Sequence, residues 1–277
     1  MSSLEKDRAV GEPQPLPTGV DPTIPNVARM YDYALGGKDN FAVDRELMEQ
    51  LFAVVPYGPR PALENRAFLG RAVRFLADAG IWQFLDIGSG LPTVGNVHQV
   101  AHATAPDARI VYVDYDPVAV AHSWALLSGT DKATAIQADM RRPDDILTDP
   151  GVTSLIDFTQ PVAVLLVAML HLLPDDQDPA GIVRRFREAM APGSYLVVSH
   201  ITSHEQPADV VTNLRKVFEQ AREPMVPRSR EQILGFFEGF ELVDPGLVKV
   251  PDWRPDQPGR PRQPATGLVL GAVGLKR

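Results

Sequence analysis

Two apolar runs in the first half of the chain each carry an acidic residue at or near their end, and the first leads into a pair of glycines. Asp86 lies in the run Gln83–Ile87, which Gly88–Gly90 follows directly, and Asp114 closes the run Arg109–Val113. A strand, a glycine turn, a helix and a second strand closed by an acid form the βαβ unit of nucleoside-binding proteins. Glycines carry no Cβ and let the backbone approach a ligand closely. The second carboxylate is able to accept both hydroxyl protons of a ribose.

The glycine turn departs from the pattern that binds dinucleotides. That pattern contains a third glycine for close packing of helix and strand, whereas here Pro92 intervenes and the next glycine is Gly95. Pro92 also removes a backbone N–H donor, and Asp86 would repel a pyrophosphate but suits a cationic ligand. S-adenosylmethionine carries a sulfonium and an ammonium group, so the turn favours this cofactor over NAD. A structural turn without a ligand is the alternative.

The composition limits the classes of function. The chain has 277 residues, 44% of them hydrophobic, which suffices for a sizeable core in one large domain or two small ones. A net charge of −8 argues against nonspecific binding of nucleic acid. Cysteine is absent, which excludes disulfides and thiolate metal sites and fits a reducing compartment. Because Met1–Asp21 lacks the apolar core of a signal peptide and Val162–Leu173 is too short to span a bilayer, we expect a soluble cytoplasmic protein.

The chain divides into three predicted segments. Residues 1–22 are rich in proline and are expected to be disordered or loosely attached. Residues 23–63 are expected to form a helical lid segment, and residues 64–277 a Rossmann-like domain. In that domain helices alternate with the first five of seven predicted strands, and the apolar run Pro161–Val167 is typical of a central parallel strand. The sequence therefore predicts an α/β fold with a doubly wound, mostly parallel, seven-stranded sheet and an N-terminal helical addition.

This order of elements resembles the class I S-adenosylmethionine-dependent methyltransferases over Glu64–Arg277. The resemblance lies in the glycine turn, the acid at the second strand, an acid after the third strand, the apolar fourth strand and a terminal hairpin. The segment Asn26–Phe41, together with Asp86–Thr93, looks more narrowly like an actinobacterial family of predicted methyltransferases that was formerly a domain of unknown function. The narrower resemblance covers nearly the whole chain and implies no particular substrate.

The resemblance implies a role for each matching residue. The glycine turn would lie beneath the methionine part of S-adenosylmethionine, Asp114 would bind the ribose, and Tyr115 would lie against the adenine. An acid with its neighbour after the third strand would read the adenine edge, and the exit of the fourth strand would lie near the transferred methyl group. The matching residues are Asp86, Gly88, Ser89, Gly90, Asp114, Tyr115, Asp139, Met140 and Ala168.

His171 is the candidate general base. It follows a buried strand at the sheet edge where open α/β sheets bind ligands, and histidine titrates near neutral pH. The alternative is a histidine that only holds a neighbouring loop by a hydrogen bond. A base is required only if the attacked atom arrives protonated, as an amine or alcohol does.

The segment Arg29–Phe41 is predicted to be a lid over the cofactor. Its two adjacent glycines allow a sharp bend, and Tyr33 could offer its ring face to the sulfonium. Arg29, Lys38, Asn40 or Arg66 could bind the cofactor carboxylate. The alternative is a helix and loop that pack on the sheet, with the tyrosines in the core and Arg66 as a solvated helix charge.

These observations predict a methyltransferase that acts on a small-molecule acceptor, without nucleic acid, membrane or metal as a partner. The small-molecule acceptor is inferred from the negative charge and from the lack of a recognisable nucleic-acid module. Two alternatives stay open: an NAD-dependent oxidoreductase and a non-catalytic protein that binds or senses S-adenosylmethionine. The sequence gives no indication of the oligomeric state.

Overall fold

The structure is a computed structural model that describes residues 20–55, 57–93, 95–257 and 266–277. Most of the segment predicted to be disordered, residues 1–22, lies outside the described residues. The described chain forms a central sheet with helices packed on both faces.

The sheet is formed by strands whose bounds agree closely with the apolar runs of the sequence. Five of them alternate with helices, as predicted. The strands are β1 (Gln83–Ile87), β2 (Arg109–Asp114), β3 (Ala133–Gln137), β4 (Ala163–Val167), β5 (Tyr195–Ile201), β6 (Glu241–Leu242), β7 (Val248–Lys249) and β8 (Val269–Leu275).

The strand order is β3-β2-β1-β4-β5-β8-β6, with β7 also paired to β8. Strands β1 to β5 are parallel, and β8 runs antiparallel to β5. The predicted doubly wound, mostly parallel sheet is confirmed, but the described residues contain eight strands rather than seven. The extra strand arises because one edge strand is interrupted: β6 pairs with Gly274 and Leu275, and β7 pairs with Leu270 and Gly271 of the same neighbour.

The α-helices of the described residues lie before, between and after the parallel strands. Among them, α3 begins four residues before the predicted domain boundary at residue 64. No helix of the described residues is long and apolar enough to cross a bilayer. The helices are α1 (Val27–Ala34), α2 (Ala42–Val54), α3 (Arg60–Asp78), α4 (Val97–His102), α5 (Pro117–Leu127), α6 (Pro143–Thr148), α7 (Pro150–Thr153), α8 (Pro179–Ala189), α9 (Ala208–Phe218) and α10 (Arg230–Gly235).

Alternate residues of the central strands enter two separate cores, as the period of two in a strand requires. In β4, Val164 and Leu166 pack with α6, α7, α8 and α10 on one face. Ala163 and Leu165 pack with α3, α4 and α5 on the other face. A strand buried on both faces reads as a continuous apolar run, which explains why the sequence identified β4 so clearly.

A third apolar cluster joins the N-terminal helices to the domain. It contains Met30 of α1, Met48 of α2, and Leu214 and Phe218 of α9, all of them buried. Leu172, from the loop after β4, reaches the same cluster. The N-terminal helices are therefore packed against α9 and against the loop that leaves the central strand.

Candidate functional site

A deep cavity opens at the edge of the sheet where the parallel strands end. The loops after β1, β2 and β4 form its floor, and α1, α2, α3 and α9 form its walls. One part, here called the polar end, is lined by Asp86, Ser89, Gly90, Asp114 and Glu223. The other part, here called the apolar end, is lined by Met30, Met48, Phe52, Leu214, Phe218, Met225 and Leu268.

The glycine turn after β1 has the backbone conformation that the sequence predicts. Gly88 and Gly90 have φ of +70° and +64°, in the left-handed region that other residues rarely adopt. The backbone N–H groups of Gly88 and Ser89 both donate to the carbonyl of Val113, which ties the turn to β2. A Cβ on Gly88 would collide with the side chain of Met169, whereas a Cβ on Gly90 would meet nothing within 4 Å. The turn therefore leaves open space above Gly90.

Asp114 is buried at the end of β2 and holds the turn in place. Its carboxylate accepts hydrogen bonds from the backbone N–H of Gly90 at 2.8 Å and of Asp116 at 2.9 Å. Burial raises the pKa of Asp114 to about 6, although these N–H donors act in the opposite direction. Asp116 in turn caps α5 through the N–H of Val118. Asp114 is thus held at the cavity by the glycine turn and by the start of α5.

Asp86, in β1, is also a buried carboxylate of the polar end, with only 5% of its surface exposed. Burial raises its pKa to about 7, the positive charge of Arg66 lowers it, and the negative charge of Asp114 raises it further. Arg66 lines the same cavity from α3 and donates a hydrogen bond to Asn96. Two carboxyls of raised pKa at one cavity favour a ligand that brings hydrogen-bond donors or positive charge.

Tyr115 connects three separate parts of the cavity wall. Its hydroxyl donates to Glu223, in the loop after α9, and accepts from the side-chain amide of Asn26 at 3.3 Å. Asn26 also caps α1 through the N–H groups of Ala28 and Arg29. Glu223 was not predicted from the sequence, since it lies in a loop without any motif. Burial raises its pKa as well.

The loop after β4 is strained at its first residue. Ala168 has a φ of +63°, which is unusual for a residue with a Cβ and is held by the surrounding structure. Its backbone N–H donates to the Ser199 hydroxyl at 2.9 Å. Ala168 and the next residue, Met169, both line the cavity. Residues held in such conformations cluster at functional sites.

His171 lies in this loop, buried, and lines the cavity. Its Nδ1 accepts the backbone N–H of Ile201 at 3.2 Å, which leaves the ring hydrogen on Nε2. Burial lowers its pKa well below the ordinary value, and His200 and Arg228 lower it further. His171 is thus a neutral ring whose nitrogen lone pair is already engaged. This arrangement does not favour the predicted role of general base, which stays a prediction.

Arg228 fixes the position of this loop and was missed by sequence reasoning. It is buried and donates to the carbonyls of Leu170 at 2.8 Å and Leu173 at 2.7 Å. It also forms an ion pair with Asp175 at 2.6 Å and donates to Nε2 of His200 at 3.0 Å. Backbone carbonyls in a loop leave no pattern in the sequence, so the role of Arg228 in holding this loop is seen only in the structure.

The structure brings most of the predicted site residues to one cavity. They come from three strand exits and from α3, which explains why their positions in the sequence are widely separated. The residues that line it are Arg66, Asp86, Gly88, Ser89, Gly90, Asp114, Tyr115, Ala168 and His171.

Three predicted ligands from the lid have other partners instead. Arg29 is buried in an ion pair with Asp44 at 2.8 Å and lies 3.8 Å from Asp116. The hydroxyl of Tyr33 donates to Glu49, and its ring stacks on Phe52. Asn40 donates to Asp32 and to the carbonyl of Gly37. None of the three is among the described residues that line the cavity, because their side chains hold α1, α2 and the loop between these helices together.

The two predicted readers of the adenine edge also lie elsewhere. Asp139 forms an ion pair with Arg141 two residues later, with 2.9 Å between Oδ1 and Nε. Met140 is buried in the core on the face of α8. A local ion pair and an apolar core position thus occupy the two side chains that the resemblance assigned to the nucleobase. Glu223 is the carboxylate that faces the cavity beside Tyr115.

Within the described part of the chain, three buried polar atoms at the cavity lack a hydrogen-bond partner: Oδ1 of Asn65, Oγ1 of Thr93 and Oε2 of Glu223. Each is able to accept a hydrogen bond. An unpartnered buried acceptor is costly unless a ligand or water satisfies it. S-adenosylmethionine brings donors at its ammonium group, ribose hydroxyls and adenine amino group. Oγ1 of Thr93, Oε2 of Glu223 and the open space above Gly90 therefore fit this cofactor.

A shallower cleft adjoins the cavity on the outer side of the lid. It is lined by the loop Gly36–Asp39, by Leu63 and by Pro92, and it shares Arg66 and Thr93 with the cavity. Gly36 has a φ of +81°. The loop after α1 therefore forms one wall of a cleft that shares lining residues with the cavity.

Comparisons with known proteins agree with this geometry. A model of the S-adenosyl methyltransferase family matches residues 13–277. A candidate methyltransferase from Thermobifida fusca YX is 43% identical, with a TM-score of 0.87 over 92% of this chain and 96% of that one. A DUF574 family protein from Streptomyces avermitilis MA-4680 is 38% identical, with a TM-score of 0.86 over 92% and 98%. None of the curated proteins matches the chain.

A more distant structure shows the fold alone. The mitomycin 7-O-methyltransferase MmcR is 18% identical, with a TM-score of 0.51 over 83% of this chain and 60% of that one. The family match covers the glycine turn, both buried carboxylates and the lid helices. The chain therefore belongs to the S-adenosyl methyltransferase family and is an enzyme that uses S-adenosylmethionine as its methyl donor.

Proposed function

We propose that this methyltransferase acts on a small molecule that binds in the apolar end of the cavity, with the donor in the polar end. The observation that carries the proposal is the pair of buried carboxylates, Asp86 and Asp114, on either side of a glycine turn that is open above Gly90. Both carboxyls have raised pKa values, and both face the same cavity. Neither an NAD-dependent oxidoreductase nor a non-catalytic sensor is favoured by the family to which the chain belongs.

In the polar end, each residue has a proposed contact. Asp114 accepts the ribose hydroxyls, the backbone of Gly88–Gly90 supports the methionine part, and Asp86 faces its positive charge. Arg66 is proposed to pair with the carboxylate of the donor. Tyr115 lies along the adenine, and Oε2 of Glu223 is available to accept its amino group. The unpartnered state of that oxygen supports this assignment.

In the apolar end, the enclosed shape supports a small acceptor. The helices α1, α2 and α9 close over this part, and their side chains there are buried or half-buried. A protein side chain or a nucleotide in a polymer would need an open groove to reach the strand exits. A free small molecule requires only a passage such as the cleft beside Gly36–Asp39.

When bound, S-adenosylmethionine supplies an electrophilic methyl group for in-line displacement. This chain contributes mainly by holding the acceptor in line with that group, and such positioning is able to lower a barrier by up to roughly 7–11 kcal/mol. The strained exit at Ala168 and the loop held by Arg228 provide a rigid wall for this alignment. His171, with its hydrogen on Nε2, is suited to donate a hydrogen bond rather than to remove a proton.

The proposal is tested in two stages. Calorimetry with the purified full chain should show one site for S-adenosylmethionine and for S-adenosylhomocysteine and no binding of NAD. The protein is then incubated with methyl-labelled S-adenosylmethionine and with separate small-molecule, protein and nucleic-acid fractions of a cell extract. We expect label in the small-molecule fraction. Label confined to the protein or nucleic-acid fraction would contradict the small-molecule acceptor, and the absence of donor binding would contradict the site.

A further inference from the structure

The polar pair Tyr31 and Asn65 lies at the boundary between the helical lid and α3. The Tyr31 hydroxyl donates to the carbonyl of Ala62 at 3.1 Å, and the amide nitrogen of Asn65 donates to the same hydroxyl at 2.9 Å. Both side chains line the cavity. Neither residue was predicted from the sequence, since the clear motif in this segment pointed to the neighbouring tyrosine, Tyr33.

The orientation of the Asn65 amide follows from these contacts. Because the hydroxyl hydrogen of Tyr31 is given to the Ala62 carbonyl, only its lone pairs remain for Asn65. Asn65 must therefore turn its NH₂ group towards Tyr31, and its Oδ1 points away without a partner. Only 3% of Asn65 is exposed. A buried acceptor without a partner thus belongs to a residue that lines the cavity, and it requires a hydrogen-bond donor.

The surroundings place this acceptor next to the apolar end. Ala62 packs against the apolar cluster of α1, α2 and α9. Met169 packs against the same cluster, and its side chain also lies over Gly88 of the glycine turn. The apolar end therefore reaches from the Tyr31–Asn65 pair to the turn on which the donor is proposed to lie.

We propose that the apolar end is the acceptor site and that it takes a neutral, largely apolar molecule bearing one hydroxyl or N–H group, which donates to Oδ1 of Asn65. This inference rests on the proposed function, because it assumes that the donor occupies the polar end. The side chains that define the apolar end carry no charge. Arg66, whose charge reaches Tyr31, is proposed to pair with the carboxylate of the donor, so an ionised acceptor would lose its hydration without a partner. Asn65 is thus a positioning residue that gives the acceptor one orientation.

The test uses matched probes of one and two rings: phenol, anisole and benzoate, and 2-naphthol, 2-methoxynaphthalene and 2-naphthoate. Within each set the first has a donor hydrogen, the second has none and the third is charged. Binding is measured by calorimetry and by ligand-observed NMR on the full chain saturated with S-adenosylhomocysteine. We expect phenol or 2-naphthol to bind about three- to tenfold more tightly than its methyl ether, the usual net effect of one hydrogen bond. The carboxylates should bind more weakly than either.

Variants of Asn65 then assign the preference to this residue. Asn65→Leu should remove the difference between 2-naphthol and 2-methoxynaphthalene and leave the affinity for S-adenosylhomocysteine within about twofold, since the acceptor oxygen and the amide bond to Tyr31 are lost outside the proposed donor contacts. Asn65→Ala removes the same acceptor without a larger side chain and should also remove the preference, which covers the case in which the leucine variant does not fold. Gln206→Leu is the matched control, because Oε1 of Gln206 is also buried and unpartnered but lies outside the cavity lining.

Each contrary result overturns a defined part of this inference. If the carboxylates bind as tightly as the neutral probes, or if no neutral probe binds to protein that has bound S-adenosylhomocysteine, the acceptor chemistry is wrong and the donor site stands. If Asn65→Leu weakens S-adenosylhomocysteine tenfold, the residue belongs to the donor site. If the unmodified chain does not bind S-adenosylhomocysteine, the proposed function itself fails.

Discussion

The two ends of the cavity are built in different ways. The polar end consists of backbone turns and carboxylates at the exits of β1 and β2, each fixed by hydrogen bonds close in sequence or between adjacent strands. The apolar end is formed by side chains of α1, α2 and α9, which meet only through tertiary packing. The polar end is therefore set by local geometry, and the apolar end by the docking of helices. We expect substitutions in the two ends to have separable effects on donor and acceptor binding.

The largest expected effect comes from filling the open space at the glycine turn. Gly90→Ala should weaken S-adenosylhomocysteine roughly a hundredfold, the upper range for an extra methyl group in a close-packed site. The backbone strain of a Cβ at positive φ adds a stability cost of about 1–2 kcal/mol. Calorimetry measures the affinity and thermal denaturation the stability.

Gly80→Ala is the matched control for that strain. Gly80 has a φ of +86°, and a Cβ at this position would likewise meet nothing within 4 Å, but the residue lies outside the cavity lining. The variant should lose similar stability and bind S-adenosylhomocysteine normally. Equal losses of affinity in both variants would mean that the effect comes from strain and that the donor does not lie above Gly90.

A smaller loss is expected at the second strand. Asp114→Asn should weaken S-adenosylmethionine about tenfold to a hundredfold, because hydrogen bonds to a charged group contribute about 1.5–3 kcal/mol. Asp139→Asn is the control and should change the affinity less than about twofold, because Asp139 is not among the described residues that line the cavity. Its exposed ion pair with Arg141 also contributes little to stability. Calorimetry compares the two. A loss of more than about twofold in Asp139→Asn would favour the contact between Asp139 and the adenine that the sequence predicted, and would contradict the contact proposed for Glu223.

The pH dependence of donor binding gives a third measurement. The free protein holds Asp86 with a pKa of about 7, so the carboxyl is largely protonated at pH 6. A cationic ligand favours the ionised form and lowers this pKa, so binding releases a proton. The affinity for S-adenosylmethionine should therefore rise with pH, by at most tenfold per pH unit, and level off above pH 7.

Calorimetry near pH 6.5 in buffers of different ionisation enthalpy counts the released protons. Asp114, with a pKa of about 6, adds to the release at the acidic side of this range. Asp86→Asn should flatten the profile and reduce the proton count. An unchanged proton count in that variant would show that Asp86 does not face the positive charge of the donor.

The smallest effect is expected in the apolar end. Phe52→Leu shortens a half-buried side chain of α2 at the cavity. It should weaken 2-naphthol about threefold, in line with the loss of roughly one methylene of apolar contact, and leave S-adenosylhomocysteine unaffected. Calorimetry on both ligands makes the comparison. A loss of donor affinity here would mean that the two ends are not separable.

The residues of the polar end could be placed together from the sequence because they lie in short motifs at the ends of strands. A strand, a glycine turn and an acid lie within eight residues, from Gln83 to Gly90, and the sheet order follows from the alternation of strands and helices. The sequence did not indicate that Asp139 has a local partner, Arg141, and its proposed contact with the adenine stays a prediction. The pattern of strands does not tell whether Arg141 or a ligand binds the carboxylate of Asp139.

The apolar end could not be predicted in the same way. Its walls come from α1 and α2 and from α9, which lies far from them along the chain, and their docking depends on side-chain packing. In the lid, Tyr31 faces the cavity and Tyr33 packs outside it, a difference of two positions or about half a helical turn. Without a clean periodicity in that segment, the choice between the two tyrosines required the structure.

The buried contacts of Arg29 with two carboxylates bear on how ligands enter and leave the cavity. This guanidinium joins α1 to α2 through Asp44 and lies close to Asp116 at the foot of α5. The pair with Asp44 therefore holds α1 and α2 together as one unit, and the contact with Asp116 holds that unit against α5. We expect substrates to enter and products to leave through the cleft beside Gly36, at the margin of this unit, rather than between α1 and α2.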